Sequence, residues 1–179
     1  MATQLERRTS TQQAVVDAAI ELYIERSGFT ASLDDVAERA GVAKSTLLYH
    51  FQSRVGLLQA VAARLYDELV ERLGPIDKYE DAAEFIAAFL KESRNPGTRL
   101  LHQVGEELRF ASQEAGMSPG IILMMDVLKE LGLEERPLVT AAATLMLARQ
   151  VSFGQVDEAT IDQWVDELFV VERSRRRRT

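Results

Sequence analysis

The segment SLDDVAERAGVAKSTLLYHF, residues 32–51, predicts two short helices joined by a tight turn. Ser32 and Asp35 have the spacing of a capping box, which favours a helix start at this point. Gly41 accepts the positive φ that ends this helix, and the second helix begins at about Ala43. Two helices separated by so few residues are typical of a helix-turn-helix unit.

The side chains of this unit divide into a packing set and an exposed set. Val42 and Leu47 are predicted to fill the angle between the helices. The first turn of the second helix is the part of such units that reaches base edges in the major groove, and donors farther along suit phosphates. We therefore predict a DNA-binding surface that consists of Thr30, Ser32, Ala43, Lys44, Ser45, Thr46, Tyr49, His50 and Arg54. The competing interpretation of the same segment is a helical hairpin that only packs.

The charge of the chain bears on any nucleic-acid partner. The 179 residues include 21 basic and 28 acidic side chains, for a net charge of −7, and five of the arginines lie in residues 173–179. The rest of the chain is therefore more acidic still. Affinity for DNA depends on the charges at the contact, so the DNA-binding surface must be a local patch. Between Asp35 and Tyr66 the only carboxylate is Glu38, which agrees with such a patch.

Helical periodicity continues through the remaining chain and predicts an all-α protein. The first helix is predicted to begin at Ser10, where Gln13 completes a capping box. Glycine and proline residues then separate further helices near 54–73, 79–93, 98–115, 119–131, 137–153 and 157–172. We predict an N-terminal three-helix helix-turn-helix DNA-binding domain at 1–53, a helical effector-binding and dimerisation domain at 54–172, and a disordered arginine-rich tail at 173–179.

Composition excludes several classes of protein. The chain is 46% hydrophobic and 27% charged, as in a soluble globular protein, and its longest uncharged stretch, residues 137–148, is too short to span a membrane. It contains no cysteine, P-loop, G-x-G-x-x-G or H-E-x-x-H motif, so we predict no enzyme activity, no cofactor and no metal site. The amino terminus lacks a signal peptide, which predicts a cytoplasmic protein with no membrane partner.

Residues 11–58 resemble the tetracycline-repressor (TetR) family of transcriptional regulators. The resemblance rests on AAIELYIERSGF followed by SLDDVAERAGVAKSTLLYHFQSRVGLL, with the pair Ala18 and Ala19, the turn at Gly41 and Val42, Phe51, and the pair Leu57 and Leu58. The last two thirds of the chain match the family only in length and helicity. The resemblance implies a homodimer that represses by occupying a palindromic DNA operator and releases it on binding a small molecule.

The chain departs from the family pattern at two positions. Leu48 stands where the family usually has tyrosine, so the resemblance does not supply one aromatic phosphate contact. Arg54 replaces the usual lysine after the phenylalanine; it keeps the charge and adds a forked donor.

The family resemblance also implies an effector pocket. Large apolar residues and methionines suit an adaptable cavity, and most of those in this chain will also be core. The residues that we predict to line the pocket are Phe85, Phe89, His102, Phe110, Met124, Met125, Met146 and Phe153. His102 and Glu106 have helical i, i+4 spacing, but a chain with two histidines is poorly equipped for a complete metal site.

A dimer surface is predicted independently of the resemblance. Residues 139–148 form a helix that is apolar nearly all round, and a partner helix would bury it. Together with the following helix, it would form a four-helix bundle between two subunits; burial of both helices within one chain is the alternative. The predicted interface residues are Ala141, Thr144, Leu145, Ala148, Trp164 and Leu168.

Three further alternatives remain open at this level. Arg7 and Arg8 suit a flexible arm that reaches DNA, or a solvated terminus. The C-terminal arginines suit a nucleic-acid contact or a solubilising tail. A helical adaptor that binds only protein is the alternative function, and it would not need the exposed turn at residues 44–46.

Overall fold

The computed structural model describes residues 4–26, 31–112 and 119–176. These residues form nine α-helices and no strand, which confirms the all-α prediction. The helices are α1 (Gln4–Glu25), α2 (Leu33–Arg39), α3 (Lys44–Phe51), α4 (Arg54–Leu73), α5 (Ala82–Glu92), α6 (Pro96–Ser112), α7 (Pro119–Glu130), α8 (Pro137–Phe153) and α9 (Glu158–Arg176). A single 3-10 turn, Ile76–Lys78, follows α4. None of the helices in the described ranges combines the length and hydropathy that a membrane span requires.

Two predicted helix ends differ from the observed ones. Helix α1 begins at Gln4, so Ser10 lies within the helix and the capping box predicted for Ser10 and Gln13 is wrong. Helix α9 continues to Arg176, so residues 173–176 are helical and not a disordered tail. Both extensions lack glycine and proline and include arginine, a good helix former. Residues 177–179 of the predicted tail lie outside the described residues.

The chain divides into two compact units. The first comprises residues 1–68 and 96–114, and its described helices are α1, α2, α3, most of α4, and α6. Its core holds side chains from all five helices: Val15, Ala19, Tyr23, Val36, Ala37, Leu47, Phe51, Leu57, Leu58, Val61, Leu65, Leu100 and Val104. This core fixes the orientation of α3, because Leu47 and Phe51 on its inner side are both buried in it.

The second unit comprises residues 69–95 and 115–179. Helix α5 packs against α8 and α9, and α7 packs against α8. The hydroxyl of Ser152 donates to the carbonyl of Ser93 over 2.9 Å, which joins α8 to the end of α5. The guanidinium of Arg94 similarly donates to the carbonyl of Val156 over 2.7 Å.

Part of the predicted dimer surface lies on the side of α8 that is buried within this unit. Ala141, Thr144 and Ala148 are fully buried within the single chain, so they are wrong as interface residues. Their 3-and-4 spacing marks the stripe that packs in the core of the unit. Helix α8 instead exposes Leu138, Val139, Met146 and Phe153.

Candidate nucleic-acid interface

The start of α2 is held by the predicted capping box. The amide of Asp35 donates to Oγ of Ser32 over 3.1 Å, while the amide and the hydroxyl of Ser32 each donate to Oδ2 of Asp35 over 2.7 Å. The bonds from Ser32, and then the Arg26 guanidinium at 3.3 Å, lower the pKa of Asp35 from 3.8 to about 2. Helix α2 is thus fixed at its first turn, and the Ser32 hydroxyl that we predicted to contact DNA is engaged in this cap.

The turn after α2 has the geometry that the sequence predicts. Gly41 has φ +66°. The Gly41 amide donates to the Glu38 carbonyl and the Val42 amide to the Ala37 carbonyl, over 3.1 and 2.9 Å, as in a Schellman motif. This motif satisfies the last carbonyls of α2 and directs the chain into α3 within a few residues.

The first turn of α3 lies on the surface. Ala43, Lys44 and Ser45 are exposed and Thr46 is half-buried, whereas Leu47 directly after them is fully buried. Ala43 occupies the cap position and contributes no side-chain bond. The turn therefore presents one ammonium and two hydroxyl groups on a backbone that is anchored from the opposite side.

An aromatic and a basic side chain extend this surface toward α1. Tyr49 is 71% exposed, and the guanidinium carbon of Arg8 lies 5.8 Å from its ring centroid. The ring of His50 meets that of Tyr49 edge-on at 5.3 Å. His50 is half-buried, and its Nδ1 is buried without a hydrogen-bond partner in the part of the chain that the structure describes. Arg8 is helical and not on a flexible arm, and it brings a cation next to α3.

Arg54 makes a hydrogen bond within the chain that the sequence did not predict. It is half-buried, and its Nη1 donates to the carbonyl of Ala31 over 3.1 Å, which ties the start of α4 to the segment before α2. Burial raises the pKa of Tyr23, and the charge of Arg54 partly opposes this effect. A phosphate contact by Arg54 stays a prediction. Thr30, also predicted to contact DNA, lies outside the described residues.

Lys44 has a partner that the sequence pattern did not indicate. Its Nζ lies 2.8 Å from Oδ2 of Asp34, in the first turn of α2. The two residues are ten positions apart, and no helical spacing rule links residues across a turn. The sequence did contain one indication of this pair: the capping box uses Asp35, so the neighbouring carboxylate of Asp34 has no role in the cap and is available to a cation.

The residues predicted to line an effector pocket do not form one group. Phe85 and Phe89 of α5 are buried and stacked, with ring centroids 6.4 Å apart. Met146 and Phe153 are 72% and 52% exposed on α8, and their role in lining a pocket stays a prediction. Of the others, Met124 is buried and Met125 half-buried in α7, His102 lies on α6, and the side chain of Phe110 lies outside the described residues.

The second unit contains an open groove of about 480 Å³ between α5 and α9. It is lined mainly by carboxylates, and none of the predicted pocket residues lines it; the lining residues are Glu80, Asp81, Ala83, Glu84, Ala87, Asp162, Val165 and Asp166. Within the described ranges, no three side chains of the metal-ligating types come together. Glu106, which has helical i, i+4 spacing with His102, accepts a hydrogen bond from Arg109 over 2.9 Å.

Comparisons with known proteins show that the segment containing this interface is similar to bacterial transcriptional regulators. Residues 15–61 match the model for bacterial regulatory proteins of the tetR family. The chain is 38% identical over 53 residues to the HTH-type transcriptional regulator SrpR of Pseudomonas putida, which covers 30% of this chain and 25% of that protein. It is 24% identical over 170 residues to the fatty acid metabolism regulator protein of Bacillus subtilis, which covers 90% of this chain and 87% of that protein.

A solved structure shares the fold over nearly the whole chain. RolR, crystallised with the ligand resorcinol, matches 94% of this chain and 90% of its own with a TM-score of 0.59 at 17% identity. Two of the curated matches are shorter: the chain spans between a quarter and two fifths of the length of SrpR and the similar Pseudomonas putida regulator TtgW. The matched segment of the tetR family contains α2, the Gly41 turn and α3 in full.

Proposed function

Since this chain belongs to the tetR family of bacterial regulatory proteins, whose members regulate transcription and are not enzymes, we propose that it acts as a one-component repressor. In this proposal it binds a palindromic operator as a homodimer, and a small, largely apolar effector releases it. DNA binding is the part that the relatives support directly, because the matched segment is the helix-turn-helix and a relative from Mycolicibacterium smegmatis is named a transcriptional repressor.

The exposed first turn of α3 carries the proposal. Lys44, Ser45 and Thr46 present donors suited to base edges and phosphates, and the buried Leu47 holds them on a rigid core. Arg8 and Tyr49 lie beside this turn and suit the flanking backbone. A helix that only packed would have no need of an exposed polar turn at this position.

The surface of the second unit supports a homodimer. Helix α8 exposes Val139, Met146 and Phe153, and on α9 Trp164 and Leu168 are half-buried. Leu145 is also half-buried. We propose that these side chains of α8 and α9 form the core of a four-helix bundle between two copies. Two α3 helices held about 34 to 36 Å apart would then enter successive major grooves on one side of DNA.

In this proposal, the effector changes the distance between the two α3 helices of the dimer and so weakens DNA binding. Phe85, Phe89 and Met124 are buried apolar side chains of the second unit, and we propose that a small hydrophobic ligand binds among such side chains. A structural neighbour was solved with a small molecule bound: RolR was crystallised with resorcinol. A coupling of about 1 to 3 kcal/mol would lower operator affinity roughly 5- to 150-fold.

Selection from a pool of random duplexes tests the proposal. The full chain should enrich a palindrome whose half-sites are one helical turn or a multiple apart. Lys44→Ala should weaken binding to that palindrome by about tenfold and relax base preference at one position of each half-site. Lys129→Ala, which removes an exposed lysine of α7, is the matched control and should leave both unchanged.

The selection also separates the competing functions. Enrichment of a palindrome that the Lys44 variant loses supports a dimeric DNA-binding regulator, and the palindrome then serves to screen small molecules for release. A chain that enriches no duplex even at low salt would contradict the proposal and favour a helical adaptor that binds protein.

A further inference from the structure

The first turn of α2 carries two neighbouring carboxylates with different partners. Asp35 closes the capping box with Ser32 and pairs with Arg26. Asp34 makes no bond in this cap; its Oδ2 lies 2.8 Å from Nζ of Lys44, at the start of α3. Both members of the pair are accessible, with the Asp34 side chain 67% and the Lys44 side chain 49% exposed. A charge on the proposed DNA-binding surface is therefore neutralised from within the chain.

We propose that Asp34 competes with DNA phosphates for the ammonium of Lys44 and thereby weakens sequence-independent binding. The inference rests on the proposed function of the α3 surface. A carboxylate oxygen offers an ammonium the same kind of charged acceptor as a phosphate oxygen. In the free protein Asp34 thus occupies the position that a phosphate would take.

The effect concerns sequence-independent binding because that mode depends on phosphate contacts alone. An exposed ion pair contributes little, so contacts to bases can replace it when the correct sequence is present. On DNA without that sequence, Lys44 only exchanges one charged acceptor, the Asp34 carboxylate, for another, a phosphate, so the exchange gains little. Asp34 therefore reduces what Lys44 contributes to binding on arbitrary DNA.

Helices α2 and α3 supply few cations themselves, and Arg8 of α1 adds one beside Tyr49, so the loss of one is large in proportion. The permanent cations of α2 and α3 are Arg39 and Lys44. Both nitrogens of the Arg39 fork donate to Glu25, over 3.0 and 2.8 Å, which turns that charge toward α1. Arg54 donates to a backbone carbonyl. Asp34 therefore controls one of the two cations that α2 and α3 supply.

Binding to a duplex of random sequence, roughly 30 base pairs or three helical turns long, tests the inference. The full chain and its variants would be titrated by fluorescence anisotropy over a range of salt concentrations. Asp34→Asn should bind about threefold more tightly than the parent protein near 0.1 M salt, within the range of an exposed ion pair. Its slope of log affinity against log salt should steepen by about 0.9 for each additional phosphate that the variant neutralises.

Two controls separate the ion pair from a change of net charge. Glu38→Gln removes the same charge from the same helix at an exposed position, and it should leave affinity and slope close to those of the parent. In a Lys44→Ala background, Asp34→Asn should bring no gain. Asp34→Ser removes the charge with a residue suited to a helix start and should reproduce the gain, which guards against an effect on folding.

Three results would overturn the inference. Asp34→Asn that binds no more tightly than the parent refutes the competition. An equal gain from Glu38→Gln assigns the effect to net charge, and a gain that survives Lys44→Ala assigns it to direct repulsion between Asp34 and DNA. If the parent protein binds DNA with the usual salt dependence and Asp34→Asn binds with the same affinity, only this inference is contradicted. A parent that binds no duplex at any salt concentration contradicts the proposed function as well.

Discussion

The junction between α3 and α4 depends on a missing side chain at Gly56. The Gly56 amide donates to Oγ of Ser53 over 3.1 Å in the first turn of α4. A Cβ at this position would lie 2.0 Å from the carbonyl oxygen and 3.1 Å from the carbonyl carbon of Phe51, the last residue of α3. Ordinary contact begins at 3.4 Å, so Gly56→Ala requires a backbone shift of roughly 1.4 Å.

The magnitude follows from two opposing effects. Alanine favours a helix over glycine by about 1 kcal/mol, whereas a clash that moves packed backbone costs roughly 1 to 3 kcal/mol and sometimes more. Phe51 is buried in the core of the first unit and cannot move freely, so the clash should dominate. We expect Gly56→Ala to lower the free energy of unfolding by about 2 kcal/mol, or the midpoint temperature by about 4 to 8 °C.

Gly105 provides the matched control. It is exposed within α6, and a Cβ there meets nothing within 4 Å, so Gly105→Ala should raise the free energy of unfolding by about 0.5 to 1 kcal/mol. Urea titration followed by circular dichroism measures both variants. If Gly56→Ala stabilises the protein as Gly105→Ala does, the close approach of α3 to α4 is refuted.

Two other perturbations test the cap of α2 and the proposed dimer surface. Because the pKa of Asp35 is lowered to about 2, the ionised carboxylate stabilises the fold at pH values above its ordinary pKa of 3.8. This stabilisation is lost as the pH falls toward 2. Unfolding midpoints measured from pH 5 to pH 2 should therefore decline less steeply in Asp35→Asn than in the parent protein. A decline as steep as that of the parent would contradict the cap. Met146→Lys places a charge on the 72% exposed position of α8 and should convert dimer to monomer in light scattering at micromolar concentration, whereas Val70→Lys, at a 44% exposed position of α4, should not. A dimer that persists in Met146→Lys, or a parent protein that is already monomeric, would contradict the proposed bundle.

The helix-turn-helix was predictable because its signals act over short distances. Ser32 and Asp35 form a capping box within one turn, and Gly41 adopts the positive φ that its lack of a side chain permits. The apolar spacing also identified Leu47 as a core residue and left residues 43–45 on the surface. Each of these interactions links residues at most a few positions apart, so the local pattern contains the necessary information.

The errors arose where local signals compete with continuing helix. The S-x-x-Q pattern at Ser10 predicted a helix start, but the residues before it also favour helix and α1 begins at Gln4. At the other end, α9 continues through Arg173 because charge alone does not end a helix. Element boundaries are set by such small differences and are poorly determined by pattern alone.

Local sequence patterns thus predict the order of the helices, the turn at Gly41 and the polar first turn of α3. Only the tertiary structure shows three contacts: the ion pair of Asp34 with Lys44, the contact of Arg8 with Tyr49, and the hydrogen bond from Arg54 to Ala31. The same holds for α8, whose residues are apolar on nearly every side, so that periodicity could not select its buried face. The physical reason is that these contacts join residues that are distant along the chain, and their geometry depends on how a common core orients several helices at once.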